Sequence, residues 1–117
     1  MRKKLNLGSR DYTDCQDFAL HDFDELRGNF SLTLEDFDRM FPRTAEISVG
    51  TRVFYCKGQK PIHFGLGTSR GTVVSKDGMG GRVYEHSIDD QDYGHDKIVL
   101  FKIPPEETFS DEILAVL

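Results

Sequence analysis

The glycines of this chain are unevenly spread, and their placement limits the fold more than any other feature. Nine of the eleven glycines lie between Gly50 and Gly94, where they separate short runs rich in β-branched and aromatic residues. Glycine weakens helices and readily adopts the left-handed backbone of tight turns, so this spacing predicts short strands joined by turns. The predicted strands are residues 52–56, 61–64, 71–75, 81–86 and 97–103. No helix-length pattern separates these runs, which argues against a doubly wound parallel sheet.

Residues 11–42 have a helical pattern instead. Thr13 and Gln16 have the Thr-x-x-Gln spacing of a capping box, and Gly28 is typical of a helix end. The pattern predicts a helix over residues 14–27, with its apolar residues at spacings of three and four. These residues are Cys15, Phe18, Ala19, Phe23 and Leu26.

A second, shorter helix is predicted after Thr33. Thr33 is the expected cap, Leu34, Phe37 and Phe41 mark its buried face, and Pro42 prevents its continuation. Since about six residues join the two helices, we expect them to pack as a helical hairpin.

The C-terminal residues 104–117 predict one more short helix. Pro104 and Pro105 end the last strand, and Thr108 or Ser110 is the expected cap. Phe109, Ile113, Val116 and Leu117 lie on one side of this helix. That side either closes one end of the β-structure or is an exposed apolar anchor for a partner, including a second copy in a homodimer.

Three runs of the glycine-rich segment resemble the strand–loop–strand layout of SH3-like barrels, including KOW-type modules. They are residues 49–53, 67–74 and 98–100. The resemblance implies a binding scaffold and gives no residue a catalytic role. With 117 residues, the chain is predicted to be a single α+β domain, residues 1–117. We expect an N-terminal helical hairpin (11–42), a small, mainly antiparallel SH3-like β-barrel (44–103) and a short C-terminal helix (104–117).

Charge alternates along the chain although the net charge is only −5. Residues 11–41 carry nine acidic and two basic side chains, most of them on the predicted helices. This acidic face is either an ordinary solvated surface or a docking surface for a basic partner. The predicted partner-binding residues are Asp14, Asp17, Asp22, Asp24, Glu25, Asp36 and Asp38.

The predicted barrel is locally basic, which suggests nucleic-acid binding as the alternative function. Cations neutralise phosphates and aromatic rings stack on unpaired bases. The residues that would serve this function are Arg52, Lys57, Lys60, Arg70, Lys76, Arg82, Tyr55 and Tyr84. Acidic segments on both sides of the barrel would repel phosphate, so this function ranks second.

No catalytic or cofactor motif is evident. Cys15 and Cys56 do not form a Cys-x-x-Cys pair, and we expect reduced thiols in or near the core. The glycine-rich stretch 65–71 is not a phosphate-binding P-loop, and the acidic stretch 89–96 does not fit the calcium loop of an EF-hand. We therefore expect no enzyme activity, no cofactor and no metal.

The sequence shows neither an export signal nor a membrane-spanning run, so a cytoplasmic location is expected, without contact to a membrane. Together these patterns predict a small non-catalytic binding or regulatory protein that acts through protein–protein contact. An inhibitor that presents an acidic surface to a basic, nucleic-acid-binding partner is one such protein.

Overall fold

The computed structural model of the chain describes residues 2–7, 12–77 and 81–117. In chain order the elements are β1 (Lys3–Lys4), α1 (Cys15–Ala19), α2 (Leu34–Met40), β2 (Arg52–Lys57), β3 (Lys60–Gly67), β4 (Val73–Lys76), β5 (Val83–His86), β6 (Lys97–Phe101) and α3 (Asp111–Leu114). The strands form one antiparallel sheet in the order β1-β5-β4-β3-β2-β6. Asp11, where the predicted helical segment begins, lies outside the described residues.

The sheet is built on the hairpin of β2 and β3. The turn between them contains Gly58, whose φ of +59° lies in the left-handed region that favours glycine. In the hairpin Phe54 pairs with Phe64 and Tyr55 with His63. On its other edge β2 pairs with β6, so the predicted strands at 52–56, 61–64 and 97–103 lie side by side, with β6 at one edge of the sheet.

Both faces of the central strands are buried, because their successive residues enter two different cores. Phe54 and Cys56 belong to the larger core, which α1, α2 and the C-terminal segment cover. Val53 and Tyr55 point to the opposite face and pack beneath the chain that follows β5. In the larger core the ring of Phe37 from α2 lies edge-on to Phe54, with 4.7 Å between the centroids.

The prediction of an SH3-like barrel is wrong. β1 and β6 are the two edges of the sheet, and no pairing among the described residues joins them, so the sheet is open. A closed barrel buries alternate residues in one interior and leaves the others outside. Here the other residues enter a second core, so the sheet is covered by chain on both faces instead of closing on itself.

The predicted N-terminal helical hairpin is also wrong. The helix expected over residues 14–27 ends after Ala19, and turns follow. Nη1 of Arg52 donates to the Ala19 carbonyl at 2.9 Å, whereas a longer helix would offer that carbonyl to the Phe23 amide. The Phe23 amide donates to Leu20 instead. Apolar residues of the predicted helix are still buried in the fold, as Phe18 and Leu26 show.

The predicted second helix is confirmed as α2. Thr33 accepts from the Asp36 amide, and the Asp36 carboxylate accepts from the Thr33 amide, which completes a capping box.

At the end of the chain Ser110 caps α3, one of the two predicted caps. Phe109, Ile113 and Leu117 are buried in the larger core. Among the described residues, no helix combines the length and the apolar character needed to cross a membrane.

Two glycines of the stretch 65–71, Gly65 and Gly67, serve close packing. A Cβ atom on Gly65 would lie 2.4 Å from Val73 Cγ1, and one on Gly67 would lie 2.5 Å from the Ser48 carbonyl oxygen. Both distances are too short for a side chain, so these glycines let β4 and the segment before β2 approach β3.

Candidate functional site: an acidic cleft beside a buried ion pair

Asp22, one of the predicted partner-binding residues, is part of a buried ion pair. Its two carboxylate oxygens accept from Nη1 and Nη2 of Arg52 at 2.7 and 2.8 Å, and both side chains are 0% exposed. Burial by itself raises the pKa of Asp22, but the hydrogen bonds and charge of Arg52 outweigh it and lower that pKa. Asp22 therefore stays ionised inside the fold and is not part of the acidic surface.

Asp14 and Asp17 organise the start of α1. Asp14 caps the helix by accepting from the Asp17 amide at 2.8 Å. Asp17 is itself buried, pairs with Nε of Arg27 and accepts from the Thr13 amide. Burial alone would raise the pKa of Asp17, yet these partners lower it. The cap is thus Asp14 and not Thr13.

On α2 the predicted acidic residues are neutralised by neighbouring arginines. Asp38 forms a bidentate pair with Arg43, at 2.7 and 2.8 Å. Arg39 pairs with both Glu35 and Asp36. The α2 surface therefore offers little net negative charge to a partner.

Asp24 and Glu25 are the two predicted acidic residues that are exposed and form no ion pair with a described lysine or arginine. They face Glu106 and Glu107 across an open cleft of about 470 Å³. We call the cleft between these four residues the acidic cleft. Its two walls come from positions some 80 residues apart in sequence. Glu106 and Glu107 were not predicted, because nothing in the local sequence brings them close to Asp24 and Glu25.

The buried ion pair fixes the two walls of the acidic cleft. Oδ2 of Asp22 accepts from the Glu106 amide at 3.1 Å, and its backbone carbonyl accepts from Oγ1 of Thr108 at 3.1 Å. The Arg52 guanidinium lies between the rings of Phe23 and Phe109, 5.4 and 5.3 Å from their centroids. These contacts fix the backbone of the two walls, although the four acidic residues all lie outside helices and strands.

The residues predicted to bind nucleic acid are only partly at the surface. Arg52, Tyr55 and Lys76 are buried, and Arg52 is already paired with an aspartate. Nε of Arg70 donates to Glu85 at 2.8 Å, and its Nη2 donates to the carbonyl of Val116. These four residues therefore form no free basic surface.

The exposed basic residues of this predicted set are far apart. Lys57 and Lys60 flank the β2–β3 turn, whereas Arg70 lies beyond the opposite end of the eight-residue strand β3, about 25 Å away. Arg82 is exposed ahead of β5, two strands from β3 in the sheet. Tyr84 is half-buried beneath the guanidinium of Arg2.

The second face of the sheet carries a histidine–tyrosine cluster that the sequence did not predict. His63 stacks on Tyr93, with 3.7 Å between the ring centroids, and Tyr55 and His95 lie edge-on to each other beside them. Burial lowers the pKa of His63 to about 3 and raises that of Tyr93. Both rings are therefore neutral near pH 7.

Ser75 and His86 extend this cluster. Nδ1 of His86 donates to the carbonyl of Ser87 at 2.8 Å, so its Nε2 accepts from the Ser75 hydroxyl at 2.9 Å. Both side chains are buried, and burial lowers the pKa of His86. The geometry of this pair joins β4 to β5 inside the core.

The two cysteines are free thiols, Cys56 buried and Cys15 half-buried. Burial raises the pKa of Cys56 to about 11 and also raises that of Cys15. The thiolate is the reactive form of cysteine, so both are weak nucleophiles near pH 7. Within the described ranges, no group of three or more His, Cys, Asp or Glu side chains has a metal-binding arrangement.

No protein-family model, curated protein or solved structure matches this chain. The residues themselves are thus the basis for assigning a function. The acidic cleft is the strongest candidate, because its carboxylates are exposed and unpaired among the described residues and buried contacts fix the backbone of its two walls.

Proposed function

We propose that the protein is a non-catalytic binding protein that receives a basic segment of a protein partner in the acidic cleft. The observation that carries the proposal is the meeting of four exposed, unpaired carboxylates from two distant parts of the chain. Like charges held together repel one another, and a cationic partner relieves that repulsion.

The shape of the cleft supports a side chain of lysine or arginine as the contacting group. Its volume of about 470 Å³ lies within the range of roughly 300–1,000 Å³ that is typical of binding clefts. Phe23 lines the cleft next to the carboxylates. An aromatic ring can contact the alkyl part or the charged head of a long basic side chain while carboxylates bind that head.

The expected strength of the interaction is moderate. An exposed ion pair contributes roughly 0.2–1 kcal/mol, so four carboxylates contribute on the order of 1–4 kcal/mol in total. Charge of this kind mainly speeds association and selects against acidic partners. A partner needs several basic residues, or additional apolar contacts, to bind tightly.

The first test measures binding of a fluorescent nona-arginine peptide by anisotropy at low salt. The cleft variant carries Asp24→Asn, Glu25→Gln, Glu106→Gln and Glu107→Gln. A control with the same loss of charge carries Glu46→Gln, Asp89→Asn, Asp92→Asn and Asp96→Asn, all at exposed positions outside the cleft. We expect the cleft variant to bind about tenfold more weakly and the control to change less than about threefold.

Equal losses in the two variants would contradict the proposal, because binding would then follow net charge and not the cleft. The alternative function is tested with single-stranded RNA and DNA in a mobility-shift assay at low salt. A shift that weakens steeply with salt, and that Lys57→Ala and Lys60→Ala abolish, would favour nucleic-acid binding instead.

A further inference from the structure

His21 joins the end of α1 to the C-terminal segment, residues 104–117. Its side chain is buried, with a relative exposure of 6%. Nδ1 lies 2.8 Å from the Phe18 carbonyl, and Nε2 lies 2.8 Å from the Ser110 amide. The ring also packs against Phe109, with 4.6 Å between the centroids, and edge-on to Tyr12.

These two hydrogen bonds fix the protonation of the ring. A carbonyl only accepts, so Nδ1 carries a proton and donates to Phe18. A backbone amide only donates, so Nε2 is unprotonated and accepts from Ser110. A second proton on Nε2 would point at the Ser110 N–H and would replace an attraction by a repulsion.

The charged groups around His21 come from several elements. Burial is the main factor that lowers its pKa below 6.5, while the Phe18 carbonyl and the charge of Asp22 raise it. Arg52 from β2 and Arg27 from the turns after α1 oppose protonation. From the N-terminal side Tyr12 contacts the ring, and the acidic residues Asp111 and Glu112 directly follow Ser110 in the chain.

Ser110 connects His21 to α3, because its amide donates to His21 and its side chain caps α3. Its hydroxyl caps α3 by accepting from the Ile113 amide, and its carbonyl accepts from the Leu114 amide. Four residues earlier in the same segment is Glu106, which forms one wall of the acidic cleft. A movement of Ser110 therefore affects both α3 and the cleft.

We propose that His21 is a proton-operated latch: its neutral ring holds the C-terminal segment on α1, and its protonation loosens that segment and opens one wall of the acidic cleft. The loosening depends only on the His21–Ser110 contact. Its effect on partner binding rests on the function proposed above. The carboxylate that holds the other contacts, Asp22, stays ionised in mild acid, so the release is local.

The experiment compares amide hydrogen exchange at pH 7 and pH 5 in the wild-type chain, in His21→Gln and in His95→Gln. A glutamine oxygen can accept from the Ser110 amide but does not titrate, and His95 lies in the cluster on the other face of the sheet. Protection factors, which correct for the intrinsic effect of pH, are read at Ser110, Leu114 and Ala115.

In the wild type and in His95→Gln we expect protection at these amides to fall roughly tenfold from pH 7 to pH 5 through a local opening, while central β2 amides, which exchange through global unfolding, stay better protected than these amides at both pH values. In His21→Gln the fall is absent. Equal pH dependence in His21→Gln, no fall in the wild type, or protection at these amides equal to that of central β2 at both pH values would each overturn the latch.

Binding of nona-arginine at pH 7 and pH 5 separates the latch from the function. If the wild type loses affinity in acid more than His21→Gln does, both proposals are supported. Local release without a difference in affinity between the two proteins would leave the latch standing and contradict its link to the cleft. If the cleft variant binds nona-arginine at pH 7 as tightly as its charge-matched control, the proposed function is contradicted, and the exchange result remains valid.

Discussion

Among the described residues Arg52 is the largest fully buried side chain, and all three of its guanidinium nitrogens have acceptors. Nε donates to the Gly50 carbonyl, Nη1 to Ala19 and Asp22, and Nη2 to Asp22. A buried charge is tolerated only when it is paired and fully hydrogen-bonded. One residue therefore ends α1, turns Asp22 inward and holds the segment before β2.

We predict that Asp22→Asn destabilises the protein by about 3–5 kcal/mol, because it leaves the buried Arg52 charge without a counter-ion. Asp24→Asn, two residues along and exposed, should change the free energy of unfolding by less than about 0.5 kcal/mol. Urea denaturation at pH 7 measures both variants. A loss below about 1 kcal/mol in Asp22→Asn would mean that the pair contributes little to stability.

Among the elements, α2 was predictable and α1 was not. The signals of α2 are local: Thr33 caps it, and Pro42 follows its end. α1 has an equally clear apolar pattern, but its length is set by Arg52, which lies more than 30 residues later and takes the Ala19 carbonyl. A sequence pattern reports the local preference, and a tertiary contact overrode it here.

The cap of α1 gives a prediction at this scale. The Asp14 side chain accepts from the helix, whereas the Asp17 carboxylate receives the Thr13 backbone amide, which survives most substitutions at position 13. We expect Asp14→Ala to cost about 1 kcal/mol of unfolding free energy and Thr13→Ala clearly less. Thermal unfolding of the two variants side by side measures this. A larger loss of stability in Thr13→Ala than in Asp14→Ala would show that Thr13 is the cap.

For the whole molecule, the sequence indicated short antiparallel strands but not that the sheet is open. Alternation of apolar residues fits one buried face, and only the contacts of Tyr55 and Val53 reveal the second core. The acidic cleft was predictable only in part, because tertiary contacts complete it. Asp24 and Glu25 belong to a visible acidic pattern, whereas Glu106 and Glu107 join them through the fold.

The buried histidines make the stability of the whole molecule depend on pH. His63 accepts a proton only near pH 3 when folded, because of its burial and the nearby charges of His86 and Arg2, but near pH 6.5 when unfolded. Its Nε2 has no hydrogen-bond partner among the described residues, so no contact there favours the protonated ring. The unfolded chain therefore binds more protons below pH 6.5, and stability falls as the pH falls.

We predict that protonation of His63 in the unfolded chain alone lowers the free energy of unfolding by about 2 kcal/mol between pH 7 and pH 5. Carboxylates contribute little in that window, because unfolded aspartate and glutamate titrate near pH 4. His63→Phe should reduce the loss by about this amount, leaving the smaller contributions of His21 and His86. Urea denaturation of both proteins at the two pH values measures the difference within each protein, so a change in absolute stability does not matter. Equal losses in the two proteins would mean that His63 is protonated in the fold well above pH 3.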